Sequence, residues 1–414
     1  MRRAAFISTL TFAISINMGI SLAQAPGADS YKVTLAASQH GILKVTPALP
    51  ADSMVKKGTV LTLEAVPADG YALDAAYYYN SGVRNRQYVE APTAISQVTV
   101  DRSKVIGASF IEKSALKGFR VIQDVVYAQP GVKKLKYDVF SPDGAKNLPC
   151  IIIIHGGGWT VNTEDVMRGL ARELVKSGKY VVFSIDYRWL GKADGDAKPN
   201  TMANIIEDVY GAIAHIQEHA KAYGADATRI AVTGDSAGGH LSAAAATMVT
   251  RLGDGGFGVK EGVYEYLPTY LPKNKSVAQF KTEMTSAIKA AAPSYGVFGG
   301  DMLKGSVANE PNPDLVLAAI SPINNIQNVN ERSVPQYLTR GTLDPLVKDG
   351  PVQVYADALK AAGQKVVYDH VEGASHAFFD WKPDQTTKDT FIKYGVPYAA
   401  KMRAFFDGVF YPGK

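Results

Sequence analysis

A single cysteine among 414 residues means that no disulfide can form within the chain, so the fold has to hold by packing alone. That residue, Cys150, stands directly before four consecutive isoleucines, Ile151 to Ile154, a buried-strand setting in which a thiol is an inert small core group. Charge of one sign is also scarce. The 44 Lys and Arg nearly balance the 39 Asp and Glu, and no basic block is long enough to track a phosphate backbone, which argues against a nucleic-acid partner. Between Arg3 and Asp29 charge is missing altogether. An apolar run behind Arg2 and Arg3 reads as a secretory signal peptide over residues 1–23, cut after Ala23. The run is short for a bilayer span and is interrupted by Ser, Thr and Asn17, so a stable membrane span is not expected. No cysteine near the cut offers a lipid attachment point.

What is present is apolar: 46% of the residues are hydrophobic, enough for a substantial core, and the length calls for two folded units. Residues 30–112 read as a small all-β accessory module. Alternating strands fall at 31–35, 59–63, 96–100 and 105–111, with turn residues such as Asp69-Gly70 between them. Tyr77-Tyr78-Tyr79 in this stretch can be a carbohydrate platform or plain strand packing, and packing is preferred.

From residue 118 onward strands alternate with amphipathic helices, the pattern of a mostly parallel sheet covered on both faces. Strands are predicted at 150–154, 180–185, 229–233, 335–340 and 366–371. Met202, Ile205, Ile206, Val209, Ile213 and Ile216 recur at helical spacing. A further helix is expected near 352–362, and a C-terminal helix contains Pro397.

The strongest chemical signal is Gly234-Asp235-Ser236-Ala237-Gly238-Gly239, set between the strand ending at Thr233 and a helix of small residues. A turn this tight needs small neighbours around the serine and leaves its hydroxyl exposed at a helix N-terminus, so Ser236 is the candidate nucleophile. His155-Gly156-Gly157-Gly158-Trp159 follows the isoleucine strand. Its glycines let backbone amides approach a ligand oxygen, which makes the amides of Gly157, Gly158 and Ala237 the candidate oxyanion hole. The loop lacks the Lys-Ser/Thr ending of a nucleotide-phosphate loop.

Three histidines follow Ser236. His240 falls on the helix after the elbow, His370 within a strand, and His376 in the loop beyond that strand, which makes His376 the candidate base. Asp344 ends a strand at the position an orienting acid requires and is preferred to Asp349 and Asp380. No metal or other cofactor is needed for this chemistry.

The four segments together resemble the hormone-sensitive-lipase-like carboxylesterases and the related bacterial feruloyl and acetyl-xylan esterases, from Phe119 to the C-terminus. The match rests on residues 155–159, 234–241, 344–347 and 375–378. The N-terminal module is loosely similar to divergent bacterial repeat domains. The hydrolase resemblance implies an α/β-hydrolase fold and a cofactor-free acyl-enzyme mechanism; taken with the export signal and the accessory β-module, it points to acetyl or feruloyl esters of plant polysaccharide as the substrates. A generic short-chain carboxylesterase is the alternative within the class, and a non-catalytic binding protein on the same fold is the alternative outside it. After Asp186-Tyr187-Arg188 the chain departs from the resemblance with Trp189-Leu190-Gly191-Lys192.

Residues 252–279 read as an insertion over the pocket. Trp159, Trp189, Tyr264, Tyr266 and Phe378 are the candidate substrate-binding residues, with Tyr270 and Trp381 as further aromatics able to line the same space. Carbohydrate or cell-surface contact through the N-terminal module is a further expectation.

Overall fold

The computed structural model describes residues 29–83, 86–254 and 265–413. The proposed signal peptide and Tyr264 therefore lie outside the described residues.

Eight strands form the N-terminal part: β1 (Ser30–Leu35), β2 (Gly41–Thr46), β3 (Met54–Lys56), β4 (Val60–Pro67), β5 (Tyr71–Asn80), β6 (Val89–Ala91), β7 (Ile95–Thr99) and β8 (Lys104–Glu112). They make a five-stranded sheet in the order β3-β1-β8-β5-β6 and a three-stranded sheet in the order β2-β4-β7. Alternation explains the sandwich. Leu61, Leu63 and Ala65 of β4 face inward onto Val33, Val98, Ile106 and Phe110, while the intervening residues remain partly exposed.

The larger part is an eight-stranded sheet. Its strands are β9 (Phe119–Ala128), β10 (Leu135–Pro142), β11 (Leu148–Ile154), β12 (Val181–Ile185), β13 (Ala225–Asp235), β14 (Ile288–Ser294), β15 (Gln336–Gly341) and β16 (Val366–Val371). Their order is β16-β15-β14-β13-β11-β12-β10-β9. Six strands run parallel, and β9 and β10 form an antiparallel edge. The central strands are apolar on both faces because helices cover both. Ile151 to Ile154 and Cys150 are completely buried, and the neutral form of the Cys150 thiol is favoured by that burial.

The covering helices are α1 (Arg168–Val175), α2 (Met202–His219), α3 (Ala237–Thr247), α4 (Val277–Ala287), α5 (Asp301–Val307), α6 (Pro313–Ile320), α7 (Asp349–Ala361), α8 (Gln385–Thr390) and α9 (Val396–Phe410). Thr201 and Ser276 start α2 and α4 with reciprocal capping boxes. Pro397 sits in the first turn of α9, directly after a π-helical turn at Phe391–Gly395, and the wider turn there accommodates a residue that lacks an N–H within a continuous helical run. The strands β11, β13, β14, β15 and β16 all end at the same rim, and the loops that leave their C-terminal ends carry the residues described next.

Candidate active site

Between β13 and α3 the chain reverses within one residue. Ser236 takes φ 53° and ψ −112°, a strained conformation for a residue with a Cβ. The surrounding glycines are dictated by contact. A Cβ on Gly238 would lie 1.9 Å from the carbonyl oxygen of Ile154, and one on Gly234 would lie 2.4 Å from that same atom. Gly239 has no room either, being pressed against the Ser294 carbonyl and Gly296. The elbow is pinned on its far side by the Ser236 amide, which donates to the Ser294 carbonyl at 2.9 Å.

The structure brings three of the candidate residues together. His376 Nε2 lies 2.8 Å from Ser236 Oγ, and His376 Nδ1 lies 2.7 Å from Asp344 Oδ2. The other oxygen of Asp344 accepts the amides of Leu346 at 2.8 Å and Val347 at 2.9 Å. Burial pushes the Asp344 carboxyl upward, but the hydrogen bond from His376, its attraction whenever that ring is protonated, and those two amides outweigh it and hold the group below its usual value. An ionised carboxylate can only accept. His376 therefore carries its proton on Nδ1, and the Nε2 lone pair faces the serine hydroxyl.

The loop after β11 lies opposite. Gly157 and Gly158 adopt φ 117° and 59°, and a Cβ on Gly157 would come 2.3 Å from the Val161 carbonyl. The amides of Gly157 and Gly158, and that of Ala237 at the start of α3, donate to no group among the described residues. Three unspent donors beside a serine hydroxyl can hold an oxygen that gains negative charge.

Three other histidines, His155, His240 and His370, are occupied elsewhere. His240 Nε2 faces the Ile320 carbonyl at 2.8 Å, and its Nδ1 receives the Trp159 indole N–H at 3.3 Å. Burial pulls its pKa down to about 4, so it is a neutral structural ring. His155 is buried, stacked on Tyr187 and bonded to Asp186, while His370 lies near the surface against Asp349.

The candidate substrate-binding residues divide. Trp159 and Trp189 are partly exposed beside the glycine loop. Trp189 donates to the Asn162 carbonyl at 2.9 Å, and Leu190 donates to the Trp159 carbonyl at 2.7 Å, so residues 189–190 brace the loop from behind. Tyr266 and Phe378 require correction. Tyr266 is completely buried with its hydroxyl on the Ala319 carbonyl, and Phe378 is completely buried against Tyr295 and Phe379. Both rings fill core. Tyr270 instead pairs with Glu218, and Trp381 turns away toward the N-terminal module.

Tyr295 was not anticipated. It follows β14 with φ 35°, sets its ring 5.0 Å from that of His376 and accepts the Phe379 amide on its hydroxyl at 3.1 Å. Nothing in its sequence neighbourhood signals that role, because its contacts come from distant segments.

The BD-FAE family model matches residues 137–357, just over half of the chain, a stretch that includes Ser236 and Asp344 and stops short of His376. The chain belongs to the BD-FAE family. Two mycobacterial proteins are similar to this BD-FAE member, both from Mycobacterium tuberculosis (strain ATCC 25618 / H37Rv). Carboxylic ester hydrolase LipN is 28% identical over 251 residues, covering 58% of this chain and 60% of LipN. Esterase LipQ is 28% identical over 327 residues, covering 74% of this chain and 69% of LipQ. Among solved structures, the propionate-bound esterase Est2 of Thermogutta terrifontis superposes with a TM-score of 0.52 at 21% identity, over 72% of this chain and 98% of that one. The shared architecture is the α/β-hydrolase fold.

In this BD-FAE member Asp235 ties the elbow to the glycine loop: its Oδ1 accepts the Gly156 amide at 2.6 Å. Burial, reinforced by the nearby Asp380, raises its pKa to about 7, against the opposing pull of His376, the Gly156 amide and Lys382. A carboxyl whose folded pKa is raised favours folding fully below its unfolded value and loses that contribution as pH climbs through the folded one. Asp235→Asn removes the ionisation and keeps an acceptor. The thermal midpoint of the variant should therefore gain on the wild type as pH rises from about 4 to about 7, then run parallel above that. Calorimetry at several pH values checks this, and a constant difference across the window would show that the carboxyl is not raised.

Proposed function

We propose that this protein is an exported serine carboxylic-ester hydrolase that works through an acyl-enzyme. The observation that carries the reading is the Ser236–His376–Asp344 chain, with contacts of 2.8 and 2.7 Å, facing the unspent amides of Gly157, Gly158 and Ala237. In this reading His376 Nε2 takes the hydroxyl proton as Ser236 Oγ bonds to the ester carbonyl carbon. The carbonyl oxygen becomes an oxyanion among the three amides, each worth about 3 kcal/mol to the transition state. The imidazolium then gives its proton to the departing alcohol, leaving an acyl-serine. Water enters, loses a proton to His376 and releases the acid, which restores the serine.

The substrate class we propose is acetyl or feruloyl esters of plant polysaccharide. It is supported by the sequence resemblance and by the partly exposed Trp159 at the end of the glycine loop, where an aromatic acyl group or a sugar ring can stack; Trp189, with the Lys133 ammonium 4.3 Å from its ring centre, supports the loop from behind. Export rests on the sequence of residues 1–23. Carbohydrate contact through the N-terminal module remains part of the proposal; of the β5 tyrosines, Tyr78 packs on the module core under the Lys104 ammonium, so Tyr79, partly exposed beside Tyr88 and Arg86, is the ring proposed for it.

The test couples labelling with a substrate panel. An organophosphate ester should add one phosphoryl group per chain, located on Ser236 by peptide mass spectrometry. Acetyl and feruloyl esters should turn over faster than octanoyl ones. Labelling at another residue, or none, sinks the serine-hydrolase reading. An octanoyl preference sinks the polysaccharide-ester assignment alone.

A further inference from the structure

We propose that Asp74, in the N-terminal β-module, is a positioning residue for His376, acting through Trp381, so that the module is a working part of the catalytic centre. The inference rests on the triad reading above.

The pairing of β5 with β8 slips in register between Leu73 and Ala75, and Asp74 is the residue at the slip. An irregularity of this kind re-aims one side chain out of the alternation. Here it sends a carboxylate, almost completely buried, into the α/β part. Asp74 accepts from Arg168 Nε at 3.0 Å and Nη2 at 3.1 Å, from Arg172 Nη2 at 2.8 Å and from the Trp381 indole N–H at 3.0 Å. Ser109 of β8 donates to it at 3.1 Å, and the Lys388 ammonium stands 3.6 Å away. Burial pulls the Asp74 carboxyl upward, yet Arg168 and Arg172 hold it well below the usual range, so a negative charge is fixed between the two parts of the chain. Arg168 makes a second bridge to the module, to Glu90 at 2.7 Å. A tethered accessory domain needs no such buried charge at its joint.

Trp381 is where this cluster meets the base, five residues after His376. The intervening chain has little slack. The Phe379 amide donates to Tyr295, the Asp380 amide to the Ala377 carbonyl at 3.2 Å, and the Trp381 amide to the Val166 carbonyl at 2.8 Å. Tyr295, which receives Phe379, is the ring packed edge-on against His376. Beneath the indole lies Gly169 of α1, where a Cβ would come within 3.0 Å of Trp381 Cβ. Helix, indole and loop are thus in direct contact, and the hydrogen bond to Asp74 fixes the rotation of the indole in that contact. Displacing a reacting group by a fraction of an ångström is costly to catalysis, while substrate binding need not change.

The experiment uses the full chain with Trp381→Phe, which keeps an aromatic six-membered ring in place and removes the indole N–H together with its five-membered ring. On p-nitrophenyl acetate, kcat should fall about tenfold with KM within about twofold of wild type. The far-downfield proton resonance of His376 Nδ1–H should broaden or shift, and the thermal midpoint should stay within about 3 °C. Asp74→Asn should act in the same direction and more strongly. If that variant does not fold, because Arg172 loses its buried counter-charge and Arg168 keeps only Glu90, Trp381→Phe decides alone. Wild-type kcat with an unshifted resonance in Trp381→Phe overturns the proposal, as does a kcat loss that only tracks a loss of folded protein. The resonance separates this from the hydrolase reading: a shifted signal in a chain that cleaves no ester sinks that reading and supports the positioning role.

Discussion

Ser236→Ala should lower kcat on p-nitrophenyl acetate by at least about 10⁴-fold while the protein stays folded. Among the described residues, the hydroxyl is the only atom in the site placed to bond to a carbonyl carbon while an imidazole lone pair waits 2.8 Å away. Without it, water must attack unaided, and what remains is the stabilisation that the Gly157, Gly158 and Ala237 amides give to an oxyanion. Folding should survive because the elbow is held by backbone contacts. The amide of residue 236 reaches the Ser294 carbonyl and its carbonyl receives the His240 amide, and alanine retains both. Circular dichroism and thermal melts alongside the assay separate loss of chemistry from loss of fold. A folded alanine variant that hydrolyses as fast as wild type would leave the site without its nucleophile and return the chain to the non-catalytic alternative.

The parts of this arrangement that could be read from sequence are those in which local chemistry forces the structure. A strand such as 150–154 is apolar at every position because both of its faces are covered, and that pattern survives in one dimension. Gly234, Gly238 and Gly239 mark the elbow because no other residue fits between the Ile154 and Ser294 carbonyls. Asp344 and His376 were legible as loop residues at strand ends, where side chains from distant segments can meet.

What escaped was orientation. Tyr266 and Phe378 are aromatic and close in sequence to candidate functional segments, and nothing in one dimension says that they face inward. The β9–β10 edge was missed because its strands mix polar and charged residues such as Arg120, Gln123, Asp124, Lys136 and Asp138 among the apolar ones, and so do not resemble the continuous apolar runs of the parallel strands. Asp74 was invisible for a related reason. An acidic residue in an alternating strand reads as solvent-facing, and only the register slip turns it inward.

Asp344→Asn should cut kcat about 10⁴-fold near neutral pH, although the side chain keeps its size. The asparagine has one oxygen and one NH₂ group to distribute. The amides of Leu346 and Val347 both donate to Oδ1, so the oxygen has to remain there and the NH₂ group must turn toward His376. Facing a donor, Nδ1 can only accept, which moves the ring proton to Nε2 and aims it at Ser236 Oγ. The serine then meets a proton where it needs a lone pair, and the imidazolium that would form during attack has no carboxylate to offset it. Organophosphate labelling of Ser236 should slow in the same proportion, because it demands the same deprotonation, while KM should hardly move, since Asp344 is buried behind His376 on the side away from Ser236. A variant retaining more than about a tenth of wild-type kcat would mean that the tautomer of His376 is set by something other than this carboxylate.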